Sequence, residues 1–246
     1  MHGNTRVDPY PDRMPDELSR VEVELSGTVR DYWRARLRQH TADVYAGLAL
    51  SKFPEDLRVY EHLLWASSPS TVVEIGTHEG GSALWFRDRL ETLVRYGRIA
   101  SCQVISIDLD VSAARDAIGR IDPGFEQTII LLEGDVLDPA LPARVAELIG
   151  QGDRCLVVDD SAHTYETTIA ALRGFSRFVP VEGFFVVEDG AVDFPTLRLD
   201  STWPRGVIPA VAEWLSSDDG AGFEVRRELE LYGISCHPWG FLQRVA

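Results

Sequence analysis

Cysteine is scarce in this 246-residue sequence: Cys102, Cys155 and Cys236 stand far apart, with no C-x-x-C pair. That spacing argues against zinc ribbons and thioredoxin chemistry. Two of the three sit next to apolar runs that read as strands, where a small buried thiol fits, and such usage belongs to a reducing cytosol. Basic residues are in deficit, 24 Lys and Arg against 39 Asp and Glu, for a formal net charge of −15. A surface of that sign repels nucleic-acid phosphates and an anionic membrane face. Long apolar runs are missing too: none approaches the length that crosses a bilayer. Residues 1–17 carry charges and prolines without the apolar centre of a signal peptide. These absences lead to the expectation of a soluble cytoplasmic protein with neither nucleic acid nor membrane as partner. Internal repeats and low-complexity segments are absent as well.

What is present is enough for a core, with 45% hydrophobic and 26% charged residues; one α/β domain of this length can be buried with chain left over. The expected division is an N-terminal arm and helical extension over residues 1–66 and a main domain over 67–246. Residues 1–16 are polar and proline-bearing and read as a draped arm. The segment 31–50 places Tyr32, Trp33, Leu37, Val44, Tyr45 and Leu48 at three- and four-residue steps, which predicts helix. A second amphipathic helix, FPEDLRVYEHLLWAS, has Pro54 near its start. From residue 71 short β-branched runs alternate with helical ones: TVVEI (71–75), QVISI (103–107), QTIILLE (127–133), RCLVVD (154–159) and GFFVVE (183–188). Fully apolar strands alternating with helices predict a parallel sheet covered on both faces. A proline-rich stretch (194–209), a helix near Ala210–Leu215 and the strand-like runs FEVRREL and GFLQRVA complete a Rossmann-like α/β fold with a mostly parallel, seven-stranded sheet.

Ligands of open parallel sheets sit beyond the carboxyl ends of the strands, so the strand tips carry the functional reading. The first strand runs into Glu74, Gly76, Thr77, His78, Gly80, Gly81 and Ser82, a G-x-x-x-G-G loop that departs from the G-x-G-x-x-G of nicotinamide enzymes. The second ends in Asp108 and Asp110, where an acid can accept from both ribose hydroxyls of an adenosine. The third ends in Gly134-Asp135. A single Asp at a strand end also serves as a helix cap, and His78 also reads as an exposed loop histidine. Together, ExGxxxGGS, IDxD and GD resemble a class I methyltransferase that binds S-adenosylmethionine. The resemblance implies that Gly76 approaches the methionine part, Asp108 holds the ribose and Asp135 lies near the adenine, with Glu74, Thr77, Gly80 and Ser82 completing the cofactor site.

The fourth and fifth strands run into Asp159, Asp160, His163 and Glu166, and into Glu188, Asp189 and Gly190. Carboxylates gathered on one sheet edge are costly unless a cation neutralises them, and oxygen ligands select magnesium, manganese or calcium. Glu188 and Asp189 face opposite ways in a regular strand, so both reach one ion only if the backbone turns there, as Gly190 allows. D-x-x-H-x-Y-E followed by V-V-E-D-G resembles the cephalosporin hydroxylase family, which includes macrolide, rhamnosyl and calicheamicin-type deoxysugar O-methyltransferases; the similarity spans about residues 55–195. It implies Asp160, Glu188 and Asp189 as magnesium ligands and His163 as general base. Asp159 rivals Asp160, and the family's three-residue spacing to the histidine favours Asp160.

The expected activity is S-adenosylmethionine-dependent, metal-dependent methylation of a sugar hydroxyl, free or nucleotide-linked, in natural-product (antibiotic) biosynthesis. The resemblance also implies a homo-oligomer. Two other readings stay open: a β-lactam hydroxylation or methoxylation component of the same family, and a non-catalytic nucleotide-binding Rossmann-like protein. Residues 191–206 read either as an acceptor wall, with Phe194, Arg198, Trp203 and Arg205 facing a sugar nucleotide, or as a surface loop pinned by buried rings.

Overall fold

The computed structural model describes residues 28–198, 201–230 and 235–246; the arm expected over 1–16 lies outside them. Helix α1 (Val29–His40) starts on a capping box between Thr28 and Asp31. Chain direction then reverses through a two-stranded hairpin, β1 (Val44–Tyr45) and β2 (Leu48–Ala49). The helical period expected through residue 48 therefore breaks at His40. Ala46 and Gly47 both take positive φ, 52° and 87°, which is the backbone of a tight hairpin turn and not of a helix. Helix α2 (Pro54–Ser67) follows with Pro54 in its first turn and Glu55 and Asp56 at its positive end.

The main sheet contains β3 (Thr71–Ile75), β4 (Gln103–Asp108), β5 (Ile129–Glu133), β6 (Cys155–Asp159), β7 (Phe184–Val187), β8 (Phe223–Val225) and β9 (Phe241–Arg244). Their spatial order is β5-β4-β3-β6-β7-β9-β8. The first five are parallel, and β9 runs antiparallel to both β7 and β8. Between the strands lie α3 (Gly81–Arg95), α4 (Ser112–Ile121), α5 (Leu141–Leu148), α6 (Tyr165–Phe175) and α7 (Val207–Leu215). The last begins three residues before the expected Ala210, at Val207.

Alternating strand residues feed two cores. Val72, Val104, Leu156, Val158 and Val186 pack with Leu48, Tyr60, Leu63, Leu84 and Ile118 from the hairpin, α2, α3 and α4. Val73, Ile105, Val157, Phe185 and Val187 pack with Val145, Leu172, Val211 and Trp214 from α5, α6 and α7. This two-sided burial explains strands with no polar alternation. It also joins the N-terminal segment to the main core. Cys155 and Cys236 are buried and Cys102 is half-buried, all free. Among the described residues no helix is long and apolar enough to cross a membrane.

The chain builds β4 and β5 outward from β3, then returns to lay β6 on the other side of β3. The carboxyl ends of β3 and β6 therefore flank the switch point of the sheet, where a crevice opens.

Candidate active site

A cleft of about 430 Å³ opens at that switch point. Gly76, Thr77, Ser82, Asp108 and Asp135 line it, together with His40 and Ser51 from the N-terminal segment. Gly76 has φ 104°, and a Cβ there would stand 2.0 Å from the Asp160 carbonyl oxygen, so only glycine lets the β3 and β6 tips touch. Gly81 plays the same part toward the hairpin: an added Cβ would meet the Ala49 carbonyl oxygen at 2.1 Å. Asp108 Oδ2 accepts from the backbone N–H groups of Thr77 and His78, each at 2.9 Å, and Oδ1 accepts from Leu109 N–H at 2.8 Å. It thereby fixes the glycine loop while keeping lone pairs toward the cleft. Asp135 Oδ1 accepts from Leu137 N–H at 2.9 Å. His78 is exposed at the cleft rim.

Two of the expected cofactor residues lie elsewhere. Gly80, the residue before α3, packs against Ile118. Glu74 is fully buried below the loop, with Oε2 accepting from Ser106 Oγ at 2.6 Å. Burial pushes its carboxyl up to about 7.

The β6 and β7 tips carry the charged half. Asp160 N–H donates to Ile75 O at 2.8 Å and Glu188 N–H to Asp159 O at 2.9 Å, which brings the three strand ends level. Asp160, His163 and Asp189 each present an atom, all within 4.8 Å of one another. His163 Nε2 lies 3.7 Å from Asp160 Oδ1 and 3.5 Å from Asp189 Oδ2. All three line the cleft. His163 and Asp189 hold left-handed backbone, φ 55° and 57°, which for non-glycine residues costs about 1–2 kcal/mol each. Such strain is concentrated where side chains must be aimed. The left-handed turn at Asp189 is the bend expected at Gly190, moved one residue earlier. Two carboxylate oxygens and an imidazole nitrogen facing an open cleft suit a divalent cation with positions left over for other ligands. The rival Asp159 is 2% exposed, and its burial pushes the carboxyl up to about 6.

Glu188 does not join that group. It is 3% exposed, and both its oxygens accept from Lys52 Nζ at 2.7 Å, with Tyr60 Oη donating to Oε1. Lys52 Nζ also donates to Asp160 Oδ2 at 3.0 Å. Both carboxylates touch one ammonium, yet they part ways. Burial would raise Glu188, but Lys52 overcomes it and holds the group below the usual carboxylate range. Asp160 has a single contact, and loss of solvent together with Glu188 beside it raises its carboxyl. The Lys52 ammonium is stabilised in turn: burial works against it, and Asp160 and Glu188 more than compensate.

The sequence matches the profile of the Rhamnosyl O-methyltransferase/CmcI family over residues 38–245. The chain belongs to this family. Membership makes it an S-adenosylmethionine-dependent O-methyltransferase of class I architecture. A rhamnosyl O-methyltransferase of Mycobacterium bovis (strain BCG / Pasteur 1173P2) is 24% identical over 206 residues, 83% of this chain and 79% of that protein. In fold, a CmcI structure with Mg and SAM aligns with TM-score 0.57 and 23% identity, covering 96% of this chain and 87% of that one. The MycE methyltransferase of the mycinamycin biosynthetic pathway, in complex with Mg, SAH and mycinamycin VI, aligns with TM-score 0.52 and 15% identity. That alignment covers 77% of this chain and 48% of MycE.

The family motif names the residues at the strand tips; the groups that hold them come from elsewhere in the chain. Lys52 and Tyr60 brace Glu188. His237 Nδ1 accepts from Asp189 N–H at 3.0 Å, which steadies the left-handed turn, and Asp56 Oδ2 accepts from Cys236 N–H at 3.0 Å beside it. None of the four carries a local signal: Tyr60 and Asp56 read as ordinary positions of an amphipathic helix. Of the two readings left open for the stretch after β7, its contacts favour the loop over the acceptor wall. Arg198 is 8% exposed and donates to the carbonyls of Ser201 and Trp203, so it closes its own loop. Asp193 accepts from Gly206 and Ile208 N–H, each at 2.7 Å, tying the loop to the start of α7. Neither Phe194, Arg198, Trp203 nor Arg205 lines the cleft.

Proposed function

We propose that the chain transfers the methyl group of S-adenosylmethionine to a hydroxyl of a sugar, with a divalent cation held by Asp160 and Asp189. One observation carries this reading: the Asp160, His163 and Asp189 group opens into the same cleft as Gly76, Asp108 and Asp135. The sugar follows from the rhamnosyl O-methyltransferases and from the mycinamycin VI found in MycE. A deoxysugar of a natural product, free, nucleotide-linked or joined to an aglycone, is the acceptor class.

Asp108 and the glycine loop hold the nucleoside, which leaves the donor methyl toward the β6 tip. A divalent cation there supplies Lewis-acid stabilisation of negative charge developing on the acceptor oxygen. His163 Nε2 takes the hydroxyl proton; the oxygen–carbon bond forms as the carbon–sulfur bond breaks, and S-adenosylhomocysteine is released. Burial disfavours the imidazolium, but Asp189 and Asp160 outweigh it and raise the group above its ordinary value. Proton transfer of this kind contributes about 10²–10⁴-fold, and the cleft contributes in-line alignment.

The three-residue grouping favours a second reading, in which His163 Nε2 is itself a ligand. His163→Ala separates the two. As base, it loses about 10²-fold in kcat and the limb of the pH profile that rises with deprotonation, while Mn²⁺ binding stays intact. As ligand, it loses Mn²⁺ binding. The whole proposal is tested with labelled donor, magnesium and a panel of glycosides, sugar nucleotides and cephalosporins. Transfer to a sugar hydroxyl that stops on chelation is expected. Full turnover in EDTA removes the cation, and transfer to the β-lactam alone removes the sugar.

A further inference from the structure

We infer that Lys52 is a tethered cation that keeps Glu188 out of the metal's ligand set, so that of the three motif carboxylates only Asp160 and Asp189 bind the divalent ion. The inference rests on the cation reading proposed above.

Lys52 belongs to the segment between β2 and α2, outside the main sheet. Its side chain is 1% exposed, and its ammonium sits between Glu188 and Asp160, with two contacts to the first and one to the second. Glu188 thus spends both oxygens inward, with Tyr60 adding a further donor, and is absent from the cleft wall. Asp160 is split between two tasks. Its Oδ2 meets Lys52, while Oδ1 faces His163 and the cleft. A divalent ion ligated by Glu188 would have to share that carboxylate with an ammonium already at hydrogen-bond distance, where two like charges in a dry site repel strongly.

Charge balance points the same way. The Lys52 ammonium offsets negative charge on Glu188 and on the inner oxygen of Asp160, while the outer oxygen of Asp160 and Asp189 face His163 and the cleft. A fixed cation and an exchangeable one can therefore coexist, with Asp160 touching both. Losing the ammonium frees Glu188 to ligate, and added carboxylate ligands tighten a hard-ion site. The device also makes the metal site depend on a residue outside the strand-tip motifs.

The test is a Mn²⁺ titration, followed by calorimetry and electron paramagnetic resonance, of the full chain and two variants. Lys52→Met should bind Mn²⁺ about tenfold more tightly than the native chain. It should be less stable than the native chain without Mn²⁺ and show the larger rise in melting temperature with it, because Glu188 and Asp160 lose the ammonium between them. Lys52→Met combined with Glu188→Gln restores the native charge balance, so it should fold without metal and bind Mn²⁺ within roughly threefold of the native chain. Unchanged or weaker binding in Lys52→Met overturns the inference while leaving the cation reading intact. Loss of binding in the double variant overturns it as well, since Glu188 is then a ligand. Absence of Mn²⁺ binding in all three proteins removes the cation reading and this inference together.

Discussion

At the tips of β3, β4 and β5 the acidic groups facing the cleft are satisfied by the backbone around them; at the tips of β6 and β7 they depend on side chains brought from distant parts of the chain. Asp108 spends its oxygens on the amides of Thr77, His78 and its own neighbour Leu109, and Asp135 on that of Leu137. Glu188 and Asp160 depend on Lys52, 136 and 108 residues away, and the turn at Asp189 on His237, 48 residues away. The first half resembles a nucleotide-binding loop that any Rossmann-like sheet can build. The second is a buried charge network, in which each group is expensive unless its partners are all present. Replacing a residue in one half should therefore disturb a different property from replacing one in the other.

The largest separation is expected for Asp160→Asn and Asp189→Asn. Each removes a carboxylate of the proposed cation site and should lower kcat by about 10³-fold. Affinity for S-adenosylhomocysteine should stay within roughly twofold, because the residues proposed to hold the nucleoside lie on other strands. Calorimetry alongside single-turnover assays measures both. If either variant loses product binding as steeply as turnover, the two halves are one unit and the contrast fails.

Asp108→Ala should do the reverse on a smaller scale. It removes a charged acceptor that fixes Thr77 and His78 and faces the cleft, worth about 1.5–3 kcal/mol, or roughly tenfold to a hundredfold in affinity for the nucleoside product. Mn²⁺ binding at Asp160 and Asp189 should be unaffected. A variant with normal product affinity would reduce Asp108 to a loop-fixing residue.

The same contrast explains what could be read from the residues alone. Strands 71–75, 103–108 and 155–159 were legible because both faces of each are apolar, and Gly76, Thr77, Ser82, Asp108 and Asp135 because a tight turn and an acid at a strand tip are local features. The D-x-x-H spacing placed Asp160 and His163 together, and the structure has their atoms 3.7 Å apart. Glu188 stood in the motif, but its ammonium partner lies in the short segment between β2 and α2, for which the sequence offered no role, so its inward direction had no local signature. Residues 42–49 illustrate the limit: the apolar spacing of Val44, Tyr45 and Leu48 suits a helix, and a positive-φ pair at Ala46 and Gly47 decides otherwise. Arg198 shows the same limit, since its sequence left a ligand-facing and a loop-closing guanidinium equally open, and its contacts close the loop.

The smallest expected effect concerns Glu74, which stands beneath the first half yet shares the buried character of the second. Its Oε2 accepts from Ser106, while Oε1 has no partner among the described residues. Burial pushes the carboxyl up to about 7 against an ordinary value of 4.5, with Lys52 opposing the rise. The folded chain thus keeps a proton that the unfolded chain releases at lower pH. Stability from this group is fully present below pH 4.5 and is lost as pH rises through about 7. Glutamine keeps the shape and cannot ionise. Glu74→Gln should therefore exceed the native chain in stability at pH 8 by on the order of 1–3 kcal/mol, a rise of roughly 2–10 °C in melting temperature, and lose most of that advantage at pH 5. Melting curves at the two pH values measure it. An advantage that is equal at both would mean that Glu74 does not change protonation between them, and that the ordering of buried acids along this sheet edge is set by Lys52 more than by burial.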